Sequence, residues 1–122
     1  MTEEITASEI KAAEDYLKGY IYNGKLLRLD KYRREYFRDE QPIEIESIGE
    51  VPLSRARMFG IRHLVNSLPN CDEKLFLYYR YIKGVDVERC GELLGLSRSS
   101  AYRMKNRALI MVATALRKSK SH

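Results

Sequence analysis

A chain of 122 residues that is 44% hydrophobic and 32% charged suits one folded domain, or one domain and an arm, and is too apolar for disorder throughout. Seven Gly and three Pro exclude collagen-like and linker-like classes. No apolar run approaches the roughly 18 residues that span a bilayer. The acidic start MTEEITASEIKAAEDY lacks the pattern of a secretory signal, so the cytoplasm is the expected compartment, with no membrane partner.

Charge is divided unevenly. Residues 1–50 hold 8 Lys/Arg against 12 Asp/Glu, and residues 51–122 hold 14 against 5. After Glu92 no acid follows, whereas Arg98, Arg103, Lys105, Arg107, Arg117, Lys118 and Lys120 do. Such a surplus attracts a polyanion. Nucleic acid leads, because neutralised phosphates release condensed counterions. Arg117 to Lys120 also read as a solvated tail.

Thr6 and Glu9 form a capping-box pattern, and Ile10, Ala13, Leu17, Tyr20 and Ile21 follow at helical spacing. Residues 6–38 are expected as one long helix, with Asn23-Gly24 as a candidate break. Its tyrosines 16, 20, 22, 32 and 36 read as packing or partner-helix contacts. Residues 39–53 carry two prolines and a glycine and lose the helical period. They are expected as a connector, with Ile43, Ile45 and Ile48 suited to a short extended piece. The expected division is therefore an N-terminal helical arm or oligomerisation module at 1–40, a connector at 41–53 and a DNA-binding unit at 54–122.

Ser54 is expected to cap a helix to about Ser67, with Ile61, Leu64, Val65 and Leu68 as its apolar face. Asn70 and Glu73 suggest a cap for a helix to about Ile82, with Leu75, Tyr78, Tyr79 and Ile82 inward, ended by Gly84. Asp86 can cap a short helix through about Leu94. Ser97 can cap a last one to about Arg117. No strand-rich region or internal repeat is visible, so the fold class is all-α: a long N-terminal helix and a C-terminal helix-turn-helix bundle.

Residues 87–104, VERCGELLGLSRSSAYRM, match the helix-turn-helix pattern position by position. Gly91 is the small residue where the two helices approach. Gly95 suits a turn position needing positive φ. Leu96 plugs the corner and Ser97 caps the second helix. Cys90, Leu93 and Leu94 are expected inward from the first helix, and Ala101, Met104 and Ala108 from the second. The outer face is then Arg98, Ser99, Ser100, Tyr102, Arg103, Asn106 and Arg107. Arg and Asn can make bidentate contacts to guanine and adenine edges, and Ser suits either. The N-terminal residues of a recognition helix meet the bases. Arg98, Ser99, Ser100, Tyr102, Arg103 and Asn106 are thus the candidate base readers, and Ser97, Lys105 and Arg107 the candidate backbone contacts. A plain basic helical hairpin is the alternative.

Residues 77–109, LYYRYIKGVDVERCGELLGLSRSSAYRMKNRAL, resemble region 4 of sigma-70 type transcription factors. They resemble more closely the sigma-region-4-like phage regulators of the ArpU/RinA type. The landmarks are Leu68-Pro69, Arg80-Tyr81-Ile82 with Gly84, Gly95-Leu96-Ser97, Tyr102-Arg103 and Ala108-Leu109. The resemblance covers about residues 66–115. It implies DNA contact by Arg98, Ser99, Tyr102 and Arg103, a phage or prophage late-gene activator, and a nucleoid-associated life in a bacterial host. Sigma factors usually carry more charge where this chain has Ser99, Ser100 and Tyr102, so promoter specificity does not transfer. Gly91 replaces the usual Ala.

The expected function is a sequence-specific double-stranded DNA-binding transcriptional regulator, a homodimer through its N-terminal helix, with RNA polymerase as a further candidate partner. The alternative is an adaptor that binds polymerase or a sigma factor without reading DNA. Deleting residues 1–40 is expected to weaken DNA binding under the first reading and leave it present. No nucleophile–base pair, metal cluster or phosphate-cradling loop suggests an enzyme or a cofactor. Cys71 and Cys90 make no CxxC, and both are expected as buried thiols. His63 and His122 stand alone.

Overall fold

Thr6 Oγ1 accepts the Glu9 N–H at 3.1 Å, and Glu9 Oε1 accepts the Thr6 N–H at 3.2 Å. This reciprocal cap satisfies two backbone donors and starts α1, Ala7–Tyr36. The computed structural model describes residues 4–36 and 45–120, the side chains of 36, 45–51 and 120 excepted. α1 runs unbroken through Asn23-Gly24. The buried Asn23 side chain donates back to the Gly19 carbonyl at 2.7 Å, so it bonds along the helix instead of forming a turn.

α2 spans Ile45–Ser67 and runs antiparallel to α1, since Gly24 faces Met58, Gly19 faces Ile61 and Gly60 faces Tyr16. This corrects the expected connector: from Ile45 onward it is helix, with Pro52 inside. The rest of that connector, including Ile43, lies outside the described residues. A proline within a helix costs about 3 kcal/mol, and Pro52 itself is exposed, with the packing of α2 on α1 seen further along at Met58, Gly60 and Ile61. Ser54 is consequently a buried mid-helix residue and not a cap.

α2 stops at Ser67, and Lys74 secures the end. Its Nζ donates to the Asn66 carbonyl at 2.9 Å, the Leu68 carbonyl at 3.1 Å and Asn70 Oδ1 at 3.0 Å. A cation suits the orphan carbonyls of a helix C-terminus. Asn70 therefore serves Lys74, whereas Cys71 takes the N-cap position of α3, Asp72–Leu77, with no side-chain bond. Cys71 is exposed there, contrary to the expected buried thiol, while Cys90 is buried.

α3 passes directly into a π-helical turn, Tyr78–Ile82, closed by the Lys83 N–H on the Tyr78 carbonyl at 2.9 Å. The inward line is set in α3, before this turn, and differs from the one expected. Phe76, Leu77 and Tyr81 are buried and Leu75 is exposed, whereas Tyr78, Tyr79 and Ile82 only flank the core. Gly84, at φ +78°, releases the chain. α4, Val87–Leu93, and α5, Arg98–Lys120, complete an all-α fold, with no strand among the described residues.

One hydrophobic core joins all the elements. Ala13 and Leu17 of α1, Ile61 and Val65 of α2, Phe76 and Tyr81, Cys90 of α4, and Ala101, Met104, Ala108 and Val112 of α5 belong to it. The core crosses the expected boundaries at residues 40 and 54, and the first half of α1 packs into it.

Candidate nucleic-acid interface

The corner between α4 and α5 is built from local chemistry. Asp86 Oδ1 accepts the Arg89 N–H at 2.8 Å and starts α4. The Leu96 N–H reaches the Gly91 carbonyl at 2.7 Å, and Gly95 takes φ +72°. A Cβ on Gly95 would meet no atom within 4 Å, so glycine is required there by conformation and not by space. Ser97 Oγ accepts the Ser100 N–H at 3.2 Å and opens α5. At Gly91 the demand is spatial: a Cβ would lie 2.7 Å from Ala101 Cβ.

Cys90, Ala101, Met104 and Ala108 point inward as the spacing predicts. Leu93 does not, being 45% exposed. Val87 and Gly91 are buried instead, and Leu94 packs against the core. The apolar line of α4 is therefore 87, 90, 91 and 94, a pattern of three and four that was readable in the sequence.

The opposite face of α5 presents Arg98, Ser99, Tyr102, Arg103, Asn106 and Arg107 to solvent, with Ser100 half-buried. Arg103 Nη2 donates to Ser100 Oγ at 3.1 Å. Arg98 Nε lies 3.0 Å from Glu88 Oε1, and Arg107 Nε 3.8 Å from Glu73 Oε2. Ion pairs this open are worth about 0–1 kcal/mol, little enough for a phosphate or base edge to replace the carboxylate. Ser97 is exposed, but its hydroxyl oxygen is engaged as the cap.

Two basic residues stand elsewhere than expected. Lys105 is turned inward: its side chain is 26% exposed and its Nζ lies 3.2 Å from Glu14 Oε2. Three and four residues from buried neighbours on α5, it shares their side of the helix and is removed from the candidate backbone contacts. Arg117 is also no solvated tail residue. Its Nε donates to Glu9 Oε2 at 2.9 Å and its Nη2 to the Glu4 carbonyl at 3.2 Å, tying the end of α5 to the start of α1. The Arg117 guanidinium, helped by the Thr6 N–H, holds the Glu9 carboxyl down to about 2. For Glu14, burial opposes ionisation, but bonds from the Tyr81 hydroxyl at 2.6 Å and from Lys105 outweigh it and lower its pKa. Burial and the Glu14 carboxylate push the Tyr81 hydroxyl up. The links of Tyr81, Lys105 and Arg117 to the N-terminal segment join residues 67 to 113 positions apart, and only the opposite charge of the two halves hinted at them.

Among the described residues no three His, Cys, Asp or Glu converge as a metal site, and no helix is long and apolar enough to cross a membrane. Comparison with protein-family models, curated proteins and solved structures gave no match.

Proposed function

We propose that the chain is a sequence-specific double-stranded DNA-binding transcriptional regulator that lays the N-terminal half of α5 in a major groove. The observation that carries this reading is a single exposed face. Behind a tightly closed α4–α5 corner, Arg98, Ser99, Tyr102, Arg103 and Asn106 stand outward together, with no aliphatic side chain among them. Arg103 and Asn106 supply the donor geometry for guanine and adenine edges. Arg107 and the positive end of the α5 dipole suit phosphates. The resemblance to sigma region 4 and to phage late-gene activators supports the same assignment.

Selection of a duplex from random sequence, followed by anisotropy titration at stated salt, tests it. Arg98→Ala and Arg103→Ala should each cost about 1–3 kcal/mol on the selected duplex, with unchanged thermal melts. Equal losses on random duplex would reduce both to phosphate contacts, and no selection at all would sink the reading.

A second reading, an adaptor for RNA polymerase or a sigma factor, is favoured by apolar side chains left in solvent on the α1–α2 pair. Tyr22 is 62%, Leu29 65% and Phe59 61% exposed. Under the DNA-binding reading the same surface pairs two copies over two half-sites. Sedimentation at micromolar concentration separates these: a monomer that still binds DNA removes the dimer, and Leu29→Glu should dissociate a dimer without unfolding it.

A further inference from the structure

A cleft of about 250 Å3 opens between α1 and the π-helical turn, lined by Lys18, Ile21, Tyr22, Lys25, Arg80 and Tyr81. It shares no residue with the exposed face of α5. Three of its six residues are cations and none is an acid. Lys25 has no hydrogen bond or ion pair to any described residue, and Lys18 reaches Glu14 only at 4.0 Å. Glu14, bonded to the Tyr81 hydroxyl, is already matched by Lys105 at 3.2 Å.

Arg80 is partly engaged by the fold. Its Nη1 donates to the Val85 carbonyl at 3.3 Å, and its guanidinium carbon stands 5.6 Å from the centre of the Tyr81 ring. Its Nε is buried with no hydrogen-bond partner among the described residues. Buried donors without acceptors are rare in native proteins, and each asks for an explanation. Arg80 and Tyr81 also sit on the π-helical turn, a helix widening that recurs at functional sites.

We propose that this cleft binds a small organic oxyanion, with the charged group among Lys18, Lys25 and Arg80 and an apolar body against Ile21 and Tyr22. The cations choose the charge. The isoleucine and the two tyrosine rings favour an anion with an apolar body over inorganic phosphate. Gly84 keeps the loop close behind, since a Cβ there would lie 3.1 Å from Ile21 Cδ1.

The test is a 15N NMR titration of the full chain that follows the Arg80 Nε–Hε resonance, with ionic strength held by sodium chloride. The probes are phenyl phosphate, inorganic phosphate and phenol. Phenyl phosphate should shift the resonance saturably, inorganic phosphate should bind more weakly, and phenol should leave it in place. Lys25→Gln, at an exposed position, should weaken phenyl phosphate about fivefold with an unchanged melt, the loss of one charge about 4 Å from the anion in a largely aqueous setting. The proposal falls if the shift does not saturate, if Lys25→Gln binds equally well, or if phenol or inorganic phosphate matches phenyl phosphate. It falls too if a random DNA duplex alone moves the resonance, which would assign the cations to backbone phosphate.

Discussion

Replacing Gly91 with Ala tests the corner on which the recognition face depends. A Cβ at 91 would lie 2.7 Å from Ala101 Cβ, the root of a side chain with no freedom to swing away. To reach ordinary carbon contact, α4 and α5 must separate locally by about 0.7 Å or more. Overpacking of this kind costs about 1–3 kcal/mol. Against it stands the helix preference of Ala over Gly, about 1 kcal/mol. The expected balance is a net loss of about 1 kcal/mol, or about 4 °C in Tm for a chain of this size. Urea denaturation followed by circular dichroism at 222 nm reads it directly. Ala101→Gly alone should also destabilise, because it places a glycine inside α5. The double variant restores the gap, so the two changes should couple by about 1 kcal/mol or more. If Gly91→Ala were stabilising by its full helix preference and showed no coupling to position 101, the helices would not meet there and the argument for a tight corner would fail.

Glu9→Gln should alter the acid limb of stability. The carboxyl is held to about 2, below its usual 4.5, so its contribution is present above the usual value and is lost as the pH falls toward 2. Melts between pH 6 and about 2 should fall less steeply in the variant, and parallel curves would remove Glu9 from the account. Phe76→Ala should cost about 3–5 kcal/mol, and Leu93→Ala no more than about 0.5 kcal/mol, as read by urea midpoints. The reverse order would return Leu93 to the core. A fragment lacking residues 1–40 should lose its cooperative melt, because it exposes the core around Leu17 and strips Tyr81, Lys105 and Arg117 of their partners. A fragment that melts cooperatively and binds DNA as the full chain does would show that α1 is dispensable.

The helix-turn-helix corner was legible because each of its devices is local. A cap needs Asp86 or Ser97 and a donor three residues on, and a left-handed turn needs Gly95. The capping box at Thr6 and Glu9 was legible for the same reason. The failures have several causes. Pro52 reads as a helix breaker, yet α2 continues through it, and the contacts that seat α2 on α1 lie further along at Met58, Gly60 and Ile61. Asn70 reads as a cap, but Lys74 competes for its oxygen while closing the previous helix. The inward line Phe76, Leu77 and Tyr81 starts in α3, ahead of the π-helical turn, and its step of four from Leu77 to Tyr81 is ordinary helical spacing, so this line was open to a sequence reading that took Leu75 and Tyr79 instead. Lys105 lies four residues after buried Ala101 and three before buried Ala108, so periodicity already put it on the inner side; its charge alone suggested a phosphate contact, and the acid that pairs with it there stands on another helix.

The charge asymmetry of the sequence has two components in the fold, and they act differently. Part of the basic surplus is consumed internally, as Glu9 and Glu14 of the acidic half take up Arg117 and Lys105 on the inner side of α5. The remainder stays outside on the same helix, where Arg98 has an exposed pair, Arg107 a loose one at 3.8 Å to the half-buried Glu73, and Arg103 holds a neighbouring serine. One helix thus uses its cations on one face to hold α1 in place and leaves those on the other face at the surface. The inner pairs also fix the orientation of the outer face, since α5 cannot roll about its axis without withdrawing Lys105 and Arg117 from α1. The proposed base readout depends on that fixed roll. Under the proposed function, recognition by Arg103 and Asn106 would therefore rest on Glu14 as much as on Gly91, although Glu14 stands on the other side of the helix.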